Sequence, residues 1–150
     1  MIEKSDDEKA LEVLEKAVYH AKELLEKTTV FQPFVLLLND EGKLEYFDNE
    51  IKDSRESYAL LEKDLKIRVQ KADVAVLALV VDTAIPENFV KDVPMSIRLH
   101  LEEKSQIEHK IGARHLYVPY ELCKGQDKMF VRLHVPIPVG FPAEYIVSVL

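Results

Sequence analysis

The sequence predicts an α+β fold: a two-layer sandwich with an antiparallel sheet of about five to six strands and two helices, in the order α-β-β-α-β-β-β-β. Three observations predict it. An apolar run from Phe34 to Leu38 halts at Asn39-Asp40-Glu41-Gly42, and a second short run follows. That is the pattern of a strand, a tight turn and a returning strand. The hairpin lies between two segments with helical spacing, and from Asp73 onward the apolar residues fall in strand-length blocks.

The first helix begins at Ser5-Asp6-Asp7-Glu8, where Ser5 suits an N-cap and the acids suit the positive end of the helix dipole. Leu11, Leu14, Val18, Ala21 and Leu25 then recur at spacings of three and four. This is one apolar stripe on a helix of about 22 residues. Thr28-Thr29 ends it. Pro33 stands at the entry to the first strand, where a missing N–H is tolerated. Gly42 supplies the positive φ that the hairpin turn needs.

Asp53-Ser54-Arg55-Glu56 reads as a second N-cap, and Tyr58, Leu61, Leu65 and Val69 give a second helix running to Gln70. Val74 to Val81 is apolar without alternation, which places that strand centrally, covered on both faces. Ile85 to Val93 is a loop. From Met95 to Glu102, Ile97, Leu99 and Leu101 alternate with Arg98, His100 and Glu102. Glu103 to Glu108 is a loop and His115 to Tyr120 a strand. Gly125-Gln126-Asp127 is a turn, and in Met129 to Val135 the residues Phe130, Arg132 and His134 share one face. Three prolines in the tail from Pro136 to Pro142 keep it from a central sheet position. The apolar Tyr145 to Leu150 is expected to dock on the body or on a second subunit. Residues 1–150 read as a single domain, with 1–4 and the tail 136–150 peripheral.

Composition excludes several classes. Hydrophobic residues make up 47% and charged residues 31%, a globular balance. The net charge of −7, with Lys and Arg scattered among acids, argues against nucleic acid and against an anionic membrane surface. The single cysteine, Cys123, allows no intramolecular disulfide and fits a reducing compartment. The charged N-terminus lacks a signal-peptide core, and the longest apolar run is far short of the ~20 residues of a span. The expectation is a cytoplasmic protein without nucleic-acid or membrane partners.

No segment carries a nucleophile–base pair, a phosphate loop or a spaced set of metal ligands, so no catalytic residue, metal or cofactor is assigned. The candidate ligand-binding residues are Arg98, His100, Arg132 and His134. Two guanidiniums and two imidazoles on neighbouring strands suit a carboxylate or phosphate, because Arg forks match such anions bidentately. The competing reading is an ordinary exposed polar sheet face, on which His100 and His134 are dispensable for folding. A metal site would need His100, His115 and His134 brought together with Asp82. Asp82, Asp92 and Glu102 resemble ordinary surface acids, and Cys123 a strand-end residue. Phe31, Phe34, Tyr46 and Phe47 read as core.

Several of these elements together resemble a family of small uncharacterised bacterial proteins. They are Phe31-Gln32-Pro33-Phe34 before a strand, Leu77 to Thr83 with Asp82 near its end, Asp92-Val93-Pro94-Met95-Ser96-Ile97, and Val118-Pro119-Tyr120. The likeness spans about residues 10–135, and Met95 to Ile97 departs from a strict Asp-Ala-Ile. It implies a cytosolic bacterial domain and brings no activity or catalytic residue. The leading functional expectation is a non-enzymatic binding or assembly domain that self-associates as a dimer. The alternative is a small-molecule enzyme or sensor that binds an anion or metal on the Arg/His face.

Overall fold

A computed structural model describes residues 5–85, 93–106, 113–141 and 144–146. Helix α1 (Asp6–Thr28) starts where the Ser5 hydroxyl accepts from the Glu8 amide at 3.2 Å. Its fully buried residues are Val13, Ala17, Ala21 and Leu25, one turn apart. Leu14 and Val18 pack beside them, and Leu11 is 51% exposed. The expected stripe is therefore rotated slightly. Two alanines at its centre let the helix axis approach the sheet closely, and the larger residues fill the flanks.

The hairpin forms as read. Strands β1 (Phe34–Asn39) and β2 (Leu44–Phe47) are antiparallel. Gly42 has φ 84°, and the Asn39 side-chain oxygen accepts from the amides of Glu41 and Lys43. Helix α2 (Ser54–Arg68) is capped by Asp53, which accepts from the Glu56 amide at 3.0 Å. A 3-10 turn at Val69–Lys71 leads into β3 (Val74–Ala84), followed by β4 (Met95–Glu103), β5 (Ala113–Lys124), β6 (Met129–Leu133) and β7 (Ile137–Phe141). The Arg68 guanidinium joins Glu45 on β2 to Asp73 at the mouth of β3, tying the end of α2 to the sheet.

The antiparallel sheet has the order β2-β1-β3-β4-β5-β6, with β7 also pairing β5. The α+β class and the element order stand as read from sequence. The helices, expected on one side, take one face each. Val76, Ala78 and Val80 of β3 pack with α1, while Leu77 and Leu79 pack with α2. The α1 side also gathers Ile97, Leu99 and Leu101 of β4, Val118 and Tyr120 of β5, and Val131 of β6. The sheet thus wraps round α1, whose Glu26 accepts from the Val131 amide at 2.9 Å. The prolines in the tail do not prevent β7, because it adds to the far side of β5 as a single added strand. The paired segments of β6 and β7 lie along the same strand, interrupted at His134–Pro136. Val135, which strand alternation would place on the face of Val131 and Leu133, falls in this break and is 83% exposed.

Tyr145 and Ile146 are buried among Val35, Leu37, Leu61 and Leu65 on the α2 side. The expected docking of this segment therefore holds for these two residues, on the same chain; residues 147–150 lie outside the described structure, as do Asp92 and His109. Phe31 and Phe34 are buried as expected, whereas Tyr46 is 45% exposed.

Thr29 closes α1 with φ 66°, a conformation costly for a β-branched residue. Thr29→Gly is expected to raise unfolding free energy by about 0.5–1 kcal/mol after the entropy of glycine is allowed for. Urea denaturation at neutral pH measures it, and a loss of stability would contradict the strain.

Candidate functional site

The polar residues of β4 lie under α2 and the C-terminal segment, not in solvent. His100 is 2% exposed and Glu102 fully buried. This corrects the expectation of an open, exposed face at His100. The error has a physical source. Strand alternation sorts side chains by face, and the unforeseen second helix layer covers the face that holds Arg98, His100 and Glu102.

A carboxylate in such a place needs donors for its lone pairs. Glu102 has several. His100 Nε2 lies 2.6 Å away, and the backbone amides of Glu144, Tyr145 and Ile146 donate at 2.9, 3.1 and 3.0 Å. Burial alone would raise this carboxyl. The His100 bond and the Ile146 and Glu144 amides outweigh it and hold the group below the usual carboxylate range. The Tyr145 hydroxyl donates to Glu62 of α2 at 2.8 Å, and its ring meets His100 edge-on. Glu102 is therefore the receptor that seats the C-terminal segment.

His100 Nδ1 is 3.3 Å from His115 Nε2, as their direct pairing across β4 and β5 requires. Burial, with the charges of Arg98 and His100, lowers the His115 imidazole to about 4. Arg98 lies over the Tyr58 ring, 5.3 Å from its centre, and donates to the Tyr58 hydroxyl at 2.8 Å. Its Nε is buried without a hydrogen-bond partner among the described residues.

The two other expected ligand residues sit elsewhere. Arg132 and His134 share the carboxylate of Glu121, at 3.9 and 3.2 Å, and Arg132 is largely exposed. The structure therefore joins Arg98 to His100 through one buried cluster and joins Arg132 to His134 through Glu121. Among the described residues no three of His, Cys, Asp and Glu gather in a metal-holding arrangement. His100 and His115 are neighbours, whereas Asp82 lies on the α1 side.

A second feature was not foreseen. Helix α1 stops at Thr28, near the last residues of β3 and β5 and the first of β4. Beyond it the wrapped face of the sheet is open, a groove of about 580 Å³ bordered by Val30, Met95 and Leu122. Its polar floor is Asp82 and Tyr120, whose hydroxyl donates to the carboxylate at 2.7 Å. Burial raises the Asp82 carboxyl, against the hydrogen bonds from Tyr120 and the Phe31 amide. Burial and Asp82 together push the Tyr120 hydroxyl up. Its volume lies within the range of small-molecule sites, and it is broadly open to solvent.

Comparison with protein-family models, with curated proteins and with solved structures gave no match.

Glu102→Gln would turn an amide donor toward a cradle of donors. It is expected to cost at least about 3 kcal/mol in urea unfolding, as disrupting a buried, multiply hydrogen-bonded carboxylate does. A loss below about 1 kcal/mol, the size of a surface change, would remove Glu102 from this role.

His115 binds a proton less readily folded, at about 4, than unfolded, near 6.5. The unfolded state therefore holds more protons in that window, and stability falls as pH drops from 6.5 toward 4. Glu102 adds loss at still lower pH, as its depressed carboxyl protonates. Melting temperature should fall through the window in the wild type and fall less steeply in His115→Gln. Equal slopes would contradict the assignment.

Proposed function

We propose that the chain is a cytoplasmic, non-enzymatic binding or assembly domain of the bacterial family its motifs resemble, and that it self-associates as a homodimer. One observation carries this reading: the β5–β6 hairpin exposes Leu122 and Leu133 on one face, with Val135 beside them. Exposed apolar side chains scattered singly are normal on a soluble surface, whereas a cluster marks a contact surface. Cytoplasmic placement is supported by the acidic composition and the lone Cys123, with no helix among the described residues long and apolar enough to cross a membrane.

The mode of contact follows from the edge of β6. Strand addition needs free amides along that edge. The Val131 amide is occupied by Glu26 of α1. The reading is therefore contact through side chains, with the hairpins of two copies packed across a two-fold axis so that each apolar residue counts twice.

Sedimentation equilibrium of the wild type at micromolar concentration should give a dimer. Leu133→Asp with Val135→Asp should weaken association at least about tenfold, from lost apolar burial. Circular dichroism and melting temperature should stay those of the wild-type monomer. A monomeric wild type, or a double variant that still dimerises, would refute the reading.

A further inference from the structure

We propose that the groove beyond the end of α1 is a binding site for a small apolar molecule carrying a protonated amine, with Asp82 as its counter-charge. The inference goes beyond the assembly reading and does not rest on it, and the two surfaces share Leu122.

The argument begins with Asp82. Along β3 the residues Val76, Ala78 and Val80 pack toward α1, and the two-residue strand period puts Asp82 on the same face. There it would have joined the core had α1 continued. Instead α1 ends, and Asp82 forms part of the groove floor. The acid is half-buried, and its bonds come from two neutral donors, the Tyr120 hydroxyl and the Phe31 amide. Among the described residues no Lys, Arg or His pairs with it. A carboxylate withdrawn from water without a cation is costly, and its raised proton affinity is the expected symptom.

The surroundings sharpen the chemistry. The described lining holds two carboxylates, Asp82 and Glu121, and no cationic side chain. Glu121 already has His134 and Arg132. Among the described residues Asp82 is the acid whose charge remains unanswered. Tyr120 fixes one of its oxygens, leaving further lone pairs for a ligand donor. Val30, Met95 and Leu122 supply apolar walls around it. An ammonium group set against Asp82, with a hydrocarbon body along those walls, satisfies both. An anionic ligand would meet repulsion there.

The test uses 2-phenylethylammonium, the neutral isostere 2-phenylethanol and the anion 3-phenylpropanoate. Each is titrated at pH 7 into the full chain labelled at methionine methyl groups. The Met95 signal, assigned with Met95→Leu, reports the groove. The ammonium should shift that signal and bind about tenfold more tightly than the alcohol, the gain typical of a hydrogen bond to a charged group. The anion should bind weakest. Asp82→Asn should abolish the preference for the ammonium over the alcohol. Val30→Lys, at a position already 59% exposed, should supply an internal cation and weaken the ammonium even if the Asn variant does not fold. Equal affinities of ammonium and alcohol, a preference that survives both substitutions, or no shift at Met95 would overturn the proposal. Sedimentation of the same samples keeps this outcome separate from the assembly test.

Discussion

Strand β3 must be apolar on both faces, and the rest of the structure depends on that requirement. Val76, Ala78 and Val80 meet α1 while Leu77 and Leu79 meet α2. A strand buried on both sides has no polar face to give to solvent, so it takes an interior place between β1 and β4. The neighbours inherit the division. Leu36 and Leu38 of β1 go to one core, and Val35 and Leu37 go to the other. On β4 the apolar residues join the α1 side. The polar ones come to lie under a layer that cannot hydrate them, and their network around Glu102 is the local answer.

Where a feature is set by near neighbours in the chain, the sequence showed it. Ser5 and Asp53 mark both helix starts, Gly42 marks the turn, and the double-sided run marks the central strand. Which helix covers which face was not legible. Periodicity tells which residues of a helix are buried but not which sheet face receives them. One consequence propagated: with both helices placed on one side, the face bearing Arg98 and His100 looked open. The pairing of Arg132 and His134 with Glu121 also escaped, because it depends on β5 and β6 lying in register. The signal most open to a closer reading was Asp82. An acid that continues the buried phase of an apolar strand is out of place, and that much is visible without a structure.

The two polar sites use carboxylates in opposite ways. Glu102 is surrounded by donors, one imidazole and three amides, so burial does not leave it unsatisfied. Asp82 has two neutral donors and an open side. The first arrangement fixes a segment of the chain. The second leaves bonding capacity unspent, and the difference lies in whether the protein covers the acid or stops short of it. For Asp82, α1 ends at Thr28 and the residues that follow, Thr29 and Val30, border the open groove.

The Glu102 cradle also sets an order of events in folding. Its amide donors come from residues 42 to 44 positions later in the chain. Helices and the first hairpin can form from local contacts in microseconds. The β3–β4 pair cannot bury Glu102 comfortably at that stage, because its carboxylate would be dry and largely unanswered. The late-arriving segment must close a long loop before the second core is sealed, and such non-local closures are slow. In this molecule a single buried acid ties the second half of the core to a segment that lies 42 to 44 residues further along the chain.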